Sequence, residues 1–168
     1  MTYCCRFLLV LAVLNAAMYT RCEGELSHRD NLEDVQRDYT CGVIAIHYAL
    51  LTLSGSSNIK QVNANLESRL DSNNALSLLD LKKYLQENGI NALGLNCGVE
   101  YLQEIECGIL VLNSTRPDDP KHFVFFRKEL SSGKLLLADP QQNSHLQRVT
   151  TDSLKGTFSG SVLVLQKS

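Results

Sequence analysis

Residues 41–53, CGVIAIHYALLTL, make an apolar run long enough for three helical turns, and only His47, Tyr48 and Thr52 bring polar atoms into it. A helix of that composition has no face suited to water, so the rest of the chain has to cover it on nearly all sides. The run begins where the polar stretch DVQRDYT ends, and Gly55, Ser56 and Ser57 stop it. Cys41 is thereby placed at the N-terminus of a central buried helix. A thiol there feels the positive end of the macrodipole, which favours thiolate, and thiolate is the nucleophilic form. Gly42 follows it and permits close approach of neighbouring chain.

Two amphipathic helices follow in the pattern. One spans Ile59 to Leu70. The next begins after Ser77, whose S-x-x-D start with Asp80 suits an N-cap. Its residues Leu78, Leu81 and Leu85 share a face, and Gly89 stands where a C′ glycine ends a helix. Beyond Gly89 the apolar period shortens to that of strands, expected at Asn91–Leu95, Gly108–Asn113, His122–Glu129, Lys134–Asp139 and Ser161–Gln166. Short helices are expected at Val99–Ile105 and Thr151–Phe158. Helices first and an antiparallel sheet second is an α+β arrangement, with N-terminal helices packed on a C-terminal sheet.

The strand pattern carries two more residues of chemical interest. His122 opens KHFVFF and shares a sheet face with Val124 and Phe126, while Asp139 closes KLLLADP. A cysteine with a histidine base and an orienting carboxylate is the arrangement of a nucleophilic peptidase. A hairpin through Ser132-Gly133 as a two-residue loop would set position 143 opposite His122, with Asp139 four residues off on the same face, so a bulge or twist would be needed to join them. His47 lies six residues after Cys41, rotated by about 240° on a helix, and reads as structural.

The order Cys41, His122, Asp139, with Gln36 shortly before the cysteine, resembles the C39 peptidases, a papain-like family. The resemblance covers roughly residues 34–166 and rests on DVQRDYTCG, LSLLDLKKYLQENGI, HFVFF, LADP and TDSLKGTFSGSVLVL. It implies a papain-like fold over residues 34–168 and a cysteine endopeptidase acting on peptide or protein substrates without metal or organic cofactor. Cys41 would be nucleophile, His122 base, Asp139 the orienting group and Gln36 an oxyanion donor. One departure is that Val35 occupies the position six before the cysteine, where the family's glutamine usually stands, and Gln36 is five before it. Family members are often fused to transporters; the double-glycine leader specificity of those members is not expected here. Two other readings use the same fold: an inactive C39-like binding protein, favoured by the displaced glutamine, and a papain-like acyltransferase of the phytochelatin-synthase kind, which the N-terminus disfavours.

That N-terminus reads as a secretory signal over residues 1–22. Arg6 lies in a short leading region and FLLVLAVLNAAM is an apolar core of signal length, too short for a comfortable bilayer span. Membrane contact is therefore expected only during export, with a secreted monomer as the product. The formal charge is −2, and −4 once Arg6 and Arg21 leave with the signal, so no basic stripe suggests nucleic acid. Removal of residues 1–22 also leaves three cysteines, Cys41, Cys97 and Cys107. The odd count points to one unpaired thiol, and the division that keeps Cys41 reactive pairs Cys97 with Cys107. Asn113-Ser114-Thr115 is an N-glycosylation sequon in an expected loop, and the absence of C-x-x-C or H-x-x-x-H spacing argues against structural zinc.

Overall fold

A computed structural model describes residues 40–71, 75–113, 122–139 and 146–167. The signal, Gln36 and the rest of the sequon after Asn113 lie outside the described residues. Three helices come first: α1 (Cys41–Ser54), α2 (Ile59–Glu67) and α3 (Leu78–Glu87). Six strands follow: β1 (Ile90–Asn96), β2 (Cys107–Leu112), β3 (His122–Lys128), β4 (Leu135–Ala138), β5 (Gln147–Val149) and β6 (Phe158–Lys167). Short 3₁₀ segments, Val99–Glu104 and Thr151–Leu154, replace the two short helices expected from the pattern.

Local chemistry explains the helix boundaries. The Ser77 hydroxyl accepts from the Asp80 N–H and the Asp80 carboxylate accepts from the Ser77 N–H, a reciprocal capping box that starts α3. Gly55 and Gly89, at φ +78° and +74°, take the left-handed conformation that follows α1 and α3, where a side chain would be strained. Ile46, Ala45 and Ala49 of α1 are fully buried, as a helix without a polar face requires.

All pairings in the sheet are antiparallel, in the spatial order β1-β6-β2-β3-β4-β5. The last strand enters between β1 and β2, which puts wholly buried β2 and the start of β3 near the middle. Alternation divides the side chains into two cores. Ile109, Val111, Phe123, Phe125 and Ala138 meet the helices, with α1 lying chiefly against β3. Leu110, Val124, Phe126, Leu135 and Leu137 form the other core under the two 3₁₀ segments, which contribute Leu102 and Leu154.

Two expectations are corrected here. Cys97 and Cys107 are not joined in a disulfide; both are thiols. Cys107 is buried in the helix-side core, its Sγ 3.5 Å from the Leu165 carbonyl oxygen, whereas Cys97 packs against the core on the opposite face, so the sheet itself separates them. The β3–β4 register also differs. Phe125 pairs with Ala138 and Lys128 with Leu135 across a four-residue turn at 130–133, closed by the Glu129 N–H donating to the Lys134 carbonyl and made possible by Gly133 at φ +66°. Edge strand β5 has no signature in the sequence, because QRV has one long charged residue and no alternation to mark it.

Candidate active site

The turn correction decides the geometry of the candidate site. Continuing the observed register one step sets Asp139 across from Val124, so it is the diagonal neighbour of His122 on the same face. Diagonal neighbours lie within reach of side chains of this size, and no bulge is needed. His122 Nε2–H donates to Asp139 Oδ1 at 2.7 Å, and both side chains are nearly excluded from water, 7% and 10% exposed.

Cys41 is brought to this pair by the buried helix. Thr40 takes an extended conformation before the first turn and its side chain caps no N–H. A helix leaves its first N–H groups without intrahelical partners, so they remain directed toward the Cys41 end of the site. Gly42 allows Leu76 and Leu81 to close over that turn: a Cβ there would lie 2.9 Å from Leu76 Cδ1. From the sheet, the Phe123 N–H donates to Cys41 Sγ at 3.5 Å, joining residues 82 apart in sequence. This main-chain contact has no signature in the sequence, because any non-proline residue after His122 would supply it.

Nδ1, the other ring nitrogen of His122, is buried and makes no hydrogen bond of standard geometry among the described residues. Cys41 is nonetheless close enough to act on the ring. Burial pulls the His122 pKa down, but the hydrogen bond to Asp139, the interaction with Cys41 and the negative charge of both partners outweigh it and lift the pKa to about 9. The ring is therefore disposed to be an imidazolium, with Nε2 committed to the carboxylate and Nδ1 to the thiol side.

The remaining sequence candidates fall elsewhere. His47 Nδ1 is 2.8 Å from the Ser57 hydroxyl, and its ring packs edge-on against Tyr48, away from the Cys41 end of α1. Asn113 is exposed immediately after β2, one residue past Leu112, which pairs directly with His122. Gln36 lies outside the described residues. Among the described residues, no group of three or more His, Cys, Asp or Glu could hold a metal ion, and no helix is long and apolar enough to cross a membrane.

Comparison with known proteins bears on the family and the fold. The model of the Peptidase C39 family matches residues 30–168. A curated relative from Pseudomonas fluorescens, described as the probable functional amyloid protease FapD, is 26% identical over 140 residues, covering 80% of this chain and 60% of its own length. The chain thus spans less than two thirds of that relative. Among solved structures, a double-glycine-motif protease from an AMS/PCAT transporter in complex with its leader peptide superposes with a TM-score of 0.59 at 17% identity, over 77% of this chain and 85% of that one. The peptidase domain of Streptococcus ComA gives 0.59 at 12% identity, over 76% and 91%. At such identities the structural likeness establishes the fold, which is the papain-like one.

Proposed function

The chain belongs to the Peptidase C39 family, and from that premise we propose that it is a secreted cysteine endopeptidase whose working groups are Cys41, His122 and Asp139. The observation that carries this reading is the buried Nε2–H···Oδ1 bond of 2.7 Å between His122 and Asp139 at the strand end that also contacts Cys41 Sγ. It fixes the ring so that Nδ1 faces the sulfur side.

The chemistry follows from that orientation. Cys41 Sγ, as thiolate, attacks the scissile carbonyl carbon while the proton resides on His122 Nδ1. Collapse of the tetrahedral adduct breaks the C–N bond, and His122 gives its proton to the leaving amine, which leaves a thioester on Cys41. His122, now neutral, takes a proton from water as that water attacks the thioester, and return of the thiol completes the cycle. Asp139 holds the imidazolium, and the Cys41 backbone N–H with Gln36 would bind the oxyanion, each such donor being worth about 3–4 kcal/mol in a well-studied protease. The substrate is a peptide or protein. Export by the signal at 1–22 would place the enzyme outside the cytoplasm, with Asn113 open to glycosylation in a host that modifies sequons.

The test is hydrolysis of a peptide library by Cys41→Ala, His122→Ala and the double variant. Each single change should abolish cleavage with the thermal transition intact, and the double should be no worse than either, because members of one catalytic unit are strongly non-additive. Full activity in Cys41→Ala would refute the proposal. Separately, retention of an uncleaved N-terminus on exported protein would refute the signal assignment.

A further inference from the structure

A cavity of about 470 Å³ opens between the C-terminal end of α1, one face of α2 and the end of α3. Its volume lies within the ordinary range of small-molecule sites. Ser54, on its wall, is thirteen residues from Cys41 along α1, about 20 Å at the helical rise, so the cavity is separate from the candidate active site.

The chemistry of the lining is narrow. The floor is the buried pair Leu50 and Val62 beside Tyr84. The rim carries carboxamides and serine hydroxyls, and no lining residue bears a formal charge at neutral pH. Beside the lining, Arg69 lies 5.5 Å over the Tyr84 ring and pairs with Glu87. Asn58, Gln61 and Asn65 share one face of α2, at spacings of three and four residues.

Part of this polar surface is spent on holding the walls, and part is left over. Asn58 Oδ1 accepts from the Gln61 N–H, Ser57 is tied to His47, and Asn88 Nδ2 donates to the Tyr84 carbonyl. These bonds preform the cavity. The Gln61 carboxamide and Ser56 hydroxyl have no side-chain partner among the described residues, while Asn65 Nδ2 donates to the Tyr84 hydroxyl at 3.4 Å, leaving Asn65 Oδ1 to accept and the phenol O–H to donate. The offer is several neutral donors and acceptors around a small apolar floor.

We propose that this cavity binds a neutral amide-bearing sugar, an N-acetylhexosamine. Its hydroxyls match paired carboxamide donors and acceptors, its acetamido N–H and C=O match Asn65 and Gln61, and its methyl group fits the Leu50–Val62 floor. An ionic ligand would leave its charge unanswered here, and a peptide would need apolar side-chain pockets that two floor residues do not provide. Such a site would hold the protein on a glycan-bearing surface independently of its peptidase reading.

The test is a titration of the full chain, with Cys41 alkylated, by N,N′-diacetylchitobiose. Cellobiose is the control without acetamides and Ala-Ala is the control for a peptide ligand. Saturable binding is expected, at least tenfold weaker for cellobiose, with NMR shifts at the Gln61, Asn65 and Asn88 side-chain amides of the unmutated protein. Gln61→Leu and Asn65→Leu should each weaken binding at least tenfold and leave peptide hydrolysis unchanged. Absence of saturable binding, equal affinity for cellobiose, competition by Ala-Ala, or shifts confined to other regions would each overturn the proposal. Loss of peptidase activity in the library assay would not bear on it.

Discussion

Replacing Asp139 by Asn is the most searching perturbation of the His122 pair. Asn Oδ1 can still accept from Nε2–H, so geometry is kept while the negative charge is lost. In the wild type the His122 pKa is raised to about 9 against about 6.5 in an unfolded chain. A raised histidine stabilises the fold fully below its unfolded pKa, and that contribution is lost as pH rises through the folded one. The window is therefore pH 6.5 to 9. The difference of about 2.5 units corresponds to about 3 kcal/mol at 1.36 kcal/mol per unit, and with the side chain only 7% exposed solvent screening removes little of it. In Asp139→Asn, burial is opposed only by the interaction with Cys41, and the His122 pKa should fall well below its wild-type value. Urea unfolding of both proteins from pH 6 to 10 measures the effect. The wild-type advantage should be largest near pH 6 and shrink by up to about 3 kcal/mol by pH 9.5, the part of the shift owed to Cys41 being common to both proteins. The alkaline limb of the pH–kcat/KM profile, set by proton loss from His122, should move down toward 6.5. A stability difference that is flat across this window, together with an unmoved alkaline limb, would refute the charge-based account of the pair.

Other perturbations follow from individual contacts. Gly108→Ala would put a Cβ 2.4 Å from the Leu163 carbonyl oxygen and 2.7 Å from Phe126 Cε1, so central backbone has to move; the cost should be about 3 kcal/mol or more, read as a lowered urea midpoint. Gly42→Ala meets the side-chain ends of Leu76, at 2.9 Å, and Leu81, at 3.3 Å, and should cost about 1–2 kcal/mol in thermal denaturation, but should slow cleavage by displacing Cys41. Brief iodoacetamide treatment with mass mapping should label Cys41 first. Cys97, whose pKa is raised by burial and by Glu100, and buried Cys107 should lag, and equal labelling of all three would contradict the assignment.

What the sequence determined by itself was local. An apolar run with no wet face required a buried helix, its polar start put Cys41 at the N-terminus, and the Ser77–Asp80 cap and Gly89 bounded α3. Period-two alternation placed His122 with Val124 and Phe126 on one face of the sheet, and Asp139 shares that face because a two-residue and a four-residue turn keep the same parity of register. Tertiary structure decided the rest. The four-residue turn at 130–133, made possible by left-handed Gly133, brought Asp139 two residues nearer His122 than a two-residue loop would; turn length is set by which hydrogen bonds the closed hairpin can form. Whether Cys97 could meet Cys107 depended on which side of the sheet each faced, and the sheet stands between them. The Phe123 N–H reached Cys41 only because α1 packs on β3, and a backbone donor carries no residue identity from which packing could be read.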